Sequence, residues 1–380
     1  MKNSIYILIL VLIVSCKNKD LEKTATIQND SRVALLDSIY TELHNNNEFN
    51  GNVLIAEKGT VLFEKSFGMA NVETKAKLNS NTVFELASVS KQFTAMAIVL
   101  LEKQGKLEYE DELSKYIPEL QFYKDVTIEH LLYHTSGLPD YLQLLETYWD
   151  KQKIATNRDV INLFMLHQPN YDFEPNTDYE YSNTGYMLLA TIIERASGMN
   201  YELFLKEYIF KPAKMNESLV YRRRYSPKNI ENIAQGYLYS DSLKIKILPD
   251  ELANEGLIYY ADGIMGDGMV NSTTKDLLKW DRILYENTLI NNLDKERIFN
   301  SYKFYDSIPT GYGYGWYIEN DETYGKYVKH SGGWPGFVTH IERHLDNDKL
   351  IVVLQNVMLD RPKIPLKTTR KILYSIPLED

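Results

Sequence analysis

The chain has 380 residues, of which 44% are hydrophobic and 25% are charged. This is the composition of a globular protein with one large core or two small ones. The formal net charge of −10 argues against nucleic acid and anionic lipid as the main partners, and we expect the one short basic run, Arg222-Arg223-Arg224, to be a solvated patch in a loop.

The N-terminus has the pattern of an export signal. A charged start is followed by an apolar run over residues 5–14, which is too short to span a bilayer, and then by Ser15-Cys16. This order resembles the lipobox of bacterial lipoproteins, in which the cysteine is acylated, although Ile13 stands where leucine is commonest. We therefore predict a lipoprotein signal peptide over residues 1–15 and lipid attachment at Cys16. A cleaved ordinary signal and an N-terminal anchor helix are the alternatives.

A tether and the first folded elements follow. Residues 16–31 are polar and show no periodicity, which is typical of a linker. An apolar repeat predicts a helix over residues 32–43. Two β-type runs, 51–56 and 60–67, are joined by the short turn Glu57-Lys58-Gly59, so we predict a β-hairpin.

A long apolar segment begins after Ser88-Val89-Ser90-Lys91 and ends in charged residues and glycine at residues 102–105. This predicts a buried helix with Ser88 at its N-terminus. The spacing of three residues places the Lys91 amine over the same face as the Ser88 hydroxyl, which also meets the positive end of the helix dipole. Because a desolvated lysine beside a serine can act as a general base, a Ser–Lys hydrolase is the first hypothesis.

Helical patterns dominate the middle of the chain, and strand-like patterns return near its end. The predicted helices are residues 126–133 with a cap at Thr127, 159–166, 184–194, 201–210, 274–285 and 365–374. The predicted late strands are residues 312–319, 327–330, 337–344 and 349–355, with turns at 346–348 and around Gly332. This order predicts one α/β domain built from both ends of the chain, residues 32–87 and 255–380, with a helical domain inserted over 88–254.

Short motif matches by themselves are weak. A second Ser-x-x-Lys match, Ser272-Thr273-Thr274-Lys275, also precedes a helix, and there Ser272 or Thr273 is better explained as a helix cap. Tyr181-Ser182-Asn183 lies at a loop-to-helix junction, where a packed tyrosine and a capping asparagine would also explain it. A second Tyr-x-Asn, residues 285–287, lies at a predicted helix end, where asparagine is a plausible stop.

The order of the motifs is more specific than any one of them. Ser88-Val89-Ser90-Lys91, then Tyr181-Ser182-Asn183, then His330-Ser331-Gly332-Gly333 resembles the serine β-lactamase and penicillin-recognising family, nearest to its class C β-lactamase and esterase-like branch. Segments 131–139, 268–277, 313–316 and 332–337 extend the resemblance over most of the chain. It implies an α/β (α+β) fold of the β-lactamase/transpeptidase type, in which helices flank an antiparallel sheet.

The resemblance also implies a role for each matching residue. Ser88 would be the acylated nucleophile, and Lys91 would accept or relay its proton. Tyr181 would be a second base and later the acid for the leaving group, with its phenolate favoured by neighbouring cations. Asn183 would bond Lys91 and the substrate, and the backbone N–H groups of Ser88 and Gly333 would form the oxyanion hole.

His330 is where this chain departs from the family pattern. The β-lactamases and transpeptidases have Lys-Thr-Gly on this strand, and their lysine helps to bind the substrate carboxylate. A histidine is mostly neutral at pH 7, because its ordinary pKa is near 6.5, so carboxylate recognition is weakened. The His-Ser-Gly form is similar to that of esterase and D-aminopeptidase-like members, and we retain His330 as a candidate catalytic residue.

The remaining histidines and loop acids indicate neither a metal nor a cofactor. His134 lies in a turn-rich segment and is expected to bond the loop backbone. His340 and His344 alternate on a predicted strand, but two histidines without a third ligand do not make a zinc site. Asp140, Asp262 and Asp267 are predicted to lie in loops, and the glycines near Asp262 and Asp267 indicate turns and not a phosphate cradle.

The sequence therefore predicts a cell-envelope serine hydrolase that acts through a Ser88 acyl-enzyme on a small ester or amide, of the esterase or D-amino-acid peptidase type. A β-lactamase or D,D-carboxypeptidase is one alternative, and a non-catalytic envelope binding protein that retains the cleft is another. The predicted partners are a small-molecule or peptide substrate and the membrane through the lipid anchor only. We expect a monomer without metal or other cofactor.

Overall fold

The computed structural model describes residues 30–240, 244–252, 256–304, 308–359 and 364–378. The predicted signal peptide, with Cys16 and most of the predicted tether, lies outside these ranges. The described part forms two compact units, one from the residues up to Phe49 together with the C-terminal residues from 364, and one from Asn50 onward. In these ranges no helix combines the length and the apolar character that a membrane crossing requires.

The first unit consists of two helices from opposite ends of the chain. They are Ser31–Asn45 and Leu366–Leu373, and both agree with the predicted helices to within two residues at each end. Buried side chains join them, since the Tyr40 hydroxyl lies 3.0 Å from the Thr369 hydroxyl.

The main sheet of the second unit is antiparallel. Its strands, in chain order, are β1 Gly51–Glu57, β2 Thr60–Phe67, β3 Tyr317–Asp321, β4 Gly325–Trp334, β5 Phe337–His344 and β6 Lys349–Gln355. Their order across the sheet is β3-β4-β5-β6-β1-β2, so the N-terminal hairpin pairs with the last strand of the sheet. Gly51 lies opposite Gln355 and Glu57 opposite Lys349, which confirms a sheet built from early and late segments of the chain.

The hairpin between β1 and β2 forms as predicted. Lys58 and Gly59 both have positive φ values, 50° and 70°, which is the backbone of a tight turn whose twist matches that of the paired strands. Strand β1 does not alternate between buried and exposed residues. Every residue from Gly51 to Ala56 is buried, because this strand is interior to the sheet.

Two predictions about the late strands are wrong. Residues 312–316 are not part of a strand, because Gly311 and Gly315 adopt φ values of 77° and 79° and break the extended run. The turn placed around Gly332 is also wrong, because Gly332 lies inside β4 and the chain reverses at residues 335–336, where Gly336 has a φ of 93°. The sequence pattern predicts a turn at Gly332. In the structure Gly332 lies in a strand, where its lack of a side chain allows close packing.

A helix forms at each segment of the second unit where periodicity predicts one: Lys91–Lys103, Ile128–Tyr133, Asn157–His167, Asn183–Ser197, Tyr201–Leu205 and Thr274–Tyr285. Four further helices were not predicted: Leu113–Tyr116, Tyr141–Tyr148, Leu257–Tyr260 and Asn292–Ile298. Thr127 caps its helix as predicted, by accepting from the His130 N–H. The predicted helix over 201–210 is α-helical to Leu205 and continues as the π-helical turn Lys206–Phe210.

The helix Lys91–Lys103 is buried on all sides from Lys91 to Leu101. It packs against Asn183–Ser197 and Tyr201–Leu205, which enclose it. Helix Thr274–Tyr285 packs against β1 and β6 of the sheet. This packing is consistent with an α/β protein in which helices cover an antiparallel sheet.

Short strands and turns complete the described fold. The strands are Met69–Asn71, Ala76–Lys77, Phe84–Glu85, Leu219–Val220, Tyr237–Ser240, Ile245–Ile247, Val270–Ser272, Lys303–Phe304, Ile308–Pro309 and Val357–Met358, and the 3-10 turns are Ala87–Ser90, Pro118–Leu120 and Pro249–Glu251. The domain boundaries predicted from the sequence, with a helical insertion over 88–254, remain a prediction.

Candidate active site

Ser88 lies in a 3-10 turn at the start of the buried helix. The turn is fixed on both sides, since Leu86 N–H donates to the Val270 carbonyl at 2.8 Å and Val270 N–H donates to the Ser90 hydroxyl at 3.0 Å. Ala87, directly before Ser88, has a φ of 48°. The left-handed region costs a residue with a Cβ about 1 kcal/mol. The surrounding structure therefore holds Ser88 in a strained turn, a feature that is common at functional sites.

The Lys91 amine is completely buried and points at Ser88. Its Nζ lies 3.3 Å from Ser88 Oγ, 2.9 Å from Asn183 Oδ1 and 3.0 Å from the backbone carbonyl oxygen of Asp267. The Asp267 carbonyl can only accept, and Asn183 presents its oxygen, so each takes one N–H of the amine. The third direction of the nitrogen faces the serine hydroxyl. In the neutral amine that direction holds a lone pair, which can accept the serine proton.

Burial lowers the pKa of Lys91 from 10.5 to about 8, while the charges of Asp267 and Asp140 oppose this shift. Desolvation disfavours the ammonium form, and the opposing carboxylates are too weak to restore the usual value. A pKa near 8 leaves part of the lysine neutral at physiological pH. Lys91 can therefore act as a general base without an extreme change of conditions.

Tyr181 stands beside the same serine. Lys91 Nζ lies 4.8 Å from the centre of its ring, and the Ser88 side chain lowers the pKa of its hydroxyl in part. Burial is the largest influence on the phenol and raises its pKa above the ordinary value of 10.0. The expectation that neighbouring cations favour the phenolate is therefore wrong, because desolvation dominates and the Asp267 charge raises the pKa further. Tyr181 is a neutral phenol that can give a proton.

His134 fixes the backbone of the segment that carries Tyr181 and Asn183. The Ser182 N–H donates to His134 Nδ1 at 3.0 Å, which confirms the prediction that this histidine bonds loop backbone. Burial and the nearby Lys91 lower the pKa of His134, so the ring is neutral and can accept. Ser182, and not Asn183, caps the following helix, because its hydroxyl accepts from the Gly185 N–H. The Asn183 oxygen is thereby left for Lys91.

Strand β4 passes directly against the turn that carries Ser88. A Cβ added to Gly332 would lie 2.2 Å from the Leu86 carbonyl oxygen and 3.1 Å from the Ala87 Cβ. The same carbonyl accepts from the Thr339 hydroxyl at 2.7 Å. Gly332 is therefore required for close approach, and the approach brings Gly333 to the edge of the cleft that Ser88 also lines.

The cleft beside Ser88 has a volume of about 280 Å³. Its lining combines three of the candidate site residues, Ser88, Asn183 and Gly333, with small and apolar side chains and two carboxylates: Glu85, Ala87, Ser88, Tyr141, Leu142, Asn183, Leu257, Ala261, Ile264, Asp267, Gly268, Met269, Gly333, Trp334 and Pro335. The predicted oxyanion residues, Ser88 and Gly333, thus face one cavity. Its size suits a small acyl group more than an extended polymer.

His330 lies within a cluster of tyrosines and not on the cleft lining given above. Its Nδ1 is 2.7 Å from the Ser331 carbonyl oxygen, which can only accept, so Nδ1 carries the proton. Its Nε2 then accepts from the Tyr312 hydroxyl, at 3.0 Å. Burial, together with the charge of Lys91, lowers the pKa of His330 to about 3. The imidazole is therefore neutral and offers no charge to a substrate carboxylate.

Asp267 is a site residue that the sequence analysis did not assign. Its backbone carbonyl accepts from Lys91, and its carboxylate accepts from the Tyr141 hydroxyl at 2.9 Å. Burial raises the pKa of the carboxyl, and Lys91 lowers it in part. Its flanking glycines predict a turn acid, and the sequence signal of its role is its place just before segment 268–277.

The second Ser-x-x-Lys match is structural, as predicted. Thr273 caps helix Thr274–Tyr285 by accepting from the Asp276 N–H. Ser272 Oγ pairs with the Ser218 hydroxyl at 2.7 Å, and Lys275 donates to Ser80. The Ser272 and Lys275 side chains thus bond to other residues, which agrees with the prediction that this match belongs to a helix cap.

The arginine run 222–224 differs from the solvated patch that was expected. Arg222 pairs with Glu202, and Arg223 donates to Gln235 at 2.7 Å and to a neighbouring backbone carbonyl. Arg224 bridges Asp250 and Asp262. All three are partly buried and hydrogen-bonded, and Arg222 and Arg224 pair with acids that lie far apart in sequence.

His340 and His344 share one face of β5, as their alternation predicts. Glu342 lies between them and contacts His340 Nε2 at 3.3 Å and His344 Nε2 at 2.7 Å. The three side chains are buried. Within the ranges that the structure describes, no group of three or more His, Cys, Asp or Glu side chains is placed to hold a metal ion.

Comparison with known proteins places the site in context. The family model described as Beta-lactamase matches residues 37–372. Penicillin-binding protein 4* of Bacillus subtilis (strain 168) is 44% identical over 346 residues, which are 90% of this chain and 76% of that protein. Protein flp of Staphylococcus aureus (strain MW2) is 27% identical over 344 residues, and the match covers 87% of this chain and 64% of that protein.

Solved structures share the fold. The octameric penicillin-binding protein homologue from Pyrococcus abyssi superposes with a TM-score of 0.74 at 27% identity, over 90% of this chain and 76% of that one. D-amino acid amidase from Ochrobactrum anthropi SV3, in complex with D-phenylalanine, superposes with a TM-score of 0.72 over 91% of this chain and 99% of that one, at 21% identity. At that identity the second likeness concerns the fold alone.

Proposed function

The chain belongs to the beta-lactamase family of serine hydrolases, and we propose that it hydrolyses a small ester or amide through an acyl-enzyme on Ser88. One observation carries the proposal. The amine of Lys91 is held by the Asn183 oxygen and the Asp267 carbonyl, at 2.9 and 3.0 Å, so that its third direction faces Ser88 Oγ. The arrangement suits transfer of the serine proton to a neutral lysine.

Acylation in this scheme begins with that transfer. Lys91 takes the Ser88 proton as Oγ attacks the substrate carbonyl carbon, and the carbonyl oxygen becomes an oxyanion. The backbone N–H groups of Ser88 and Gly333 are the proposed donors to it, and such donors are typically worth about 10²–10³ in rate. The bond to the leaving group then breaks as Tyr181 gives its phenolic proton to the departing atom. The Lys91 ammonium then gives its proton to the Tyr181 phenolate, so both residues return to their neutral forms.

Deacylation reverses these roles with water as the nucleophile. Neutral Lys91 takes a proton as the water attacks the acyl carbon, and the Ser88 oxygen leaves with a proton from the Lys91–Tyr181 pair. His330 does not exchange protons in this scheme. We propose that it positions the tyrosine cluster, because its Nε2 accepts from Tyr312 and its ring centre lies 6.1 Å from that of Tyr181.

A serine-directed fluorophosphonate tests the assignment of the nucleophile. We expect stoichiometric labelling of the wild-type protein at Ser88, identified by peptide mass spectrometry. Labelling should be lost in Ser88→Ala and retained in Ser272→Ala, which removes the serine of the structural match. Labelling that persists in Ser88→Ala would refute the proposal.

The pH dependence of the same protein tests the role of Lys91. Because the neutral amine is the base, kcat/KM should rise with pH to a plateau, with a midpoint near the lowered pKa of about 8. Below it, kcat/KM should fall about tenfold per pH unit. Removing the Asp267 carboxylate, which raises the pKa of Lys91, should move the midpoint to lower pH in Asp267→Asn. A profile that is flat from pH 6 to 9 would contradict a lysine base.

Penicillin binding is the second candidate. The name of the Bacillus subtilis relative favours it, at 44% identity. The neutral His330 disfavours it, because a penicillin carries a carboxylate that a cation at this place would bind. A fluorescent penicillin that forms a covalent adduct with Ser88 at micromolar concentration would establish this candidate.

The cellular setting is proposed from the sequence alone. We propose that the protein is exported and anchored through a lipid on Cys16, which lies outside the described residues, and that it faces the periplasm or the cell surface. We further propose that it acts as a monomer on a small-molecule or peptide substrate. The predicted signal pattern and the acidic composition support these proposals.

A further inference from the structure

The charged side chains that line the cleft are acidic. Two carboxylates, those of Glu85 and Asp267, belong to its described lining, and no lysine or arginine does. Asp267 is already used, since it accepts from Tyr141 and lies beside Lys91. Glu85 has no such use in the catalytic scheme. A cleft of this kind favours a cationic ligand over an anionic one.

The backbone holds Glu85 in a defined direction. Phe84 and Glu85 form a short strand in which Glu85 lies opposite Asn271. Successive side chains of a strand point to opposite faces, and Phe84 is fully buried in the core. Glu85 therefore points the other way, into the cleft, three residues before Ser88.

The Glu85 carboxylate has no direct partner. In the described part of the chain, no hydrogen bond and no ion pair within 4.0 Å involves its side chain. The nearest arginines are engaged elsewhere, Arg223 with Gln235 and Arg224 with Asp250. Their charges reach Glu85 only at longer range. Removing a carboxylate from water without a partner costs free energy, and a ligand that pairs with it would reduce this cost.

Burial raises the pKa of Glu85 to about 7, and Arg223 opposes the shift. A positively charged group in contact with this carboxyl would stabilise its ionised form and lower its pKa. Trp334 and Pro335 line the cleft and also the small recess beside it that Glu85 shares with Arg223 and Arg224. An indole is a suitable neighbour for an alkylammonium group.

In the proposed scheme the cleft takes the acyl side of the substrate. Its described lining includes Ser88 and Gly333, where the carbonyl group would sit, but not Tyr181, which gives the proton to the leaving group in the proposed scheme. The leaving group therefore departs on the Tyr181 side. Glu85 lies on the side that remains bonded to the enzyme in the acyl-enzyme.

We propose that Glu85 binds an ammonium group on the acyl part of the substrate, so that the enzyme acts on esters or amides of amino-substituted acids. The inference rests on the proposed function. It narrows the substrate from any small acyl group to one that carries a free amine. A charge-assisted hydrogen bond between the ammonium and the carboxylate would hold the acyl chain in place.

Two matched pairs of p-nitrophenyl esters test this on the full-length protein. In each pair an ammonium replaces a terminal methyl group: the β-alanine ester against the butanoate ester, and the 6-aminohexanoate ester against the heptanoate ester. We expect wild-type kcat/KM to favour the ammonium member of at least one pair by about tenfold or more. Glu85→Gln should reduce that ratio to near one, whereas Glu251→Gln, the same change at an exposed residue, should keep it.

The outcomes separate this inference from the proposed function. A wild-type enzyme that prefers neither ammonium ester would overturn the inference, whatever the variants do. Equal losses for both members of a pair in Glu85→Gln would also overturn it, because they indicate a structural role. Fluorophosphonate labelling of Ser88 checks that the variant is folded. Wild-type protein that is labelled but shows no ammonium preference refutes only the role of Glu85, whereas absence of labelling refutes the proposed function.

Discussion

Replacing Lys91 with methionine should lower kcat/KM by about 10³–10⁴-fold. Methionine has a similar length and fits a buried site, so the change removes the base and keeps most of the volume. Ser88 would keep its turn and its hydroxyl but would lose the group that accepts its proton. The measurement is hydrolysis of a p-nitrophenyl ester, together with the rate of fluorophosphonate labelling, which should fall in parallel.

The matched control for this change is Lys275→Met. Lys275 belongs to the second Ser-x-x-Lys match and donates to Ser80, far from the catalytic candidates in sequence and in role. We expect it to keep wild-type kcat/KM. Equal losses in the two variants, or more than a tenth of wild-type activity in Lys91→Met, would contradict the assignment of Lys91 as the base.

Thermal unfolding separates loss of the base from loss of the fold. A pKa of about 8 in place of 10.5 means that burying the Lys91 ammonium costs roughly 3 kcal/mol below pH 8, a cost that vanishes above pH 10.5. Methionine removes this cost but leaves the Asn183 and Asp267 oxygens without a donor, which costs about 1–3 kcal/mol for each. Because these effects oppose each other, we expect Tm at pH 7 to change by only a few degrees.

Adding a methyl group at Gly332 should damage both stability and activity. The new Cβ would lie 2.2 Å from the Leu86 carbonyl oxygen and 2.4 Å from Thr339 Oγ1, and these two atoms form a hydrogen bond with each other. Strand β4 would have to move away from the turn that carries Ser88. We expect Gly332→Ala to lower the free energy of unfolding by about 2–4 kcal/mol. The displaced Gly333 N–H should reduce kcat/KM by about 10²-fold.

The neighbouring glycine provides the control. A Cβ at Gly333 would meet nothing within 4 Å, and alanine keeps the backbone N–H. Gly333→Ala should therefore change the free energy of unfolding by less than about 0.5 kcal/mol. Thermal melts of both variants, with labelling rates at Ser88, measure the difference. If Gly332→Ala has the same melting temperature as the wild type, the close approach of β4 to Leu86 is not required for stability.

Local patterns predicted much of the fold. The hairpin of β1 and β2 follows from two β-type runs around Lys58-Gly59, and the helix Thr274–Tyr285 was predicted with the same bounds. These elements depend on neighbours within a few residues, which the sequence displays directly. Strand β3 was predicted too early, because Gly311 and Gly315 have positive φ values, and Gly315 lies where the chain packs against the buried helix at Lys91 and Gln92. That constraint comes from a distant segment.

The ordering of the motifs predicted which residues meet. Ser88 and Lys91 lie on one helical turn, so their proximity follows from spacing alone. Asn183 meets Lys91 across 92 positions of sequence, which only the family resemblance foretold. Asp267 and Glu85 carry no motif of their own, and both were found only when the fold brought them to the cleft.

The sequence by itself determined the family, the main helices and strands, and the candidate Ser88–Lys91 pair, because these depend on periodicity and spacing. The tertiary structure alone decided the protonation of the site. It shows a lysine with a lowered pKa, a tyrosine that stays a phenol and a histidine that stays neutral. Each of these states is set by desolvation and by groups far away in the chain, and burial exists only once those segments pack together.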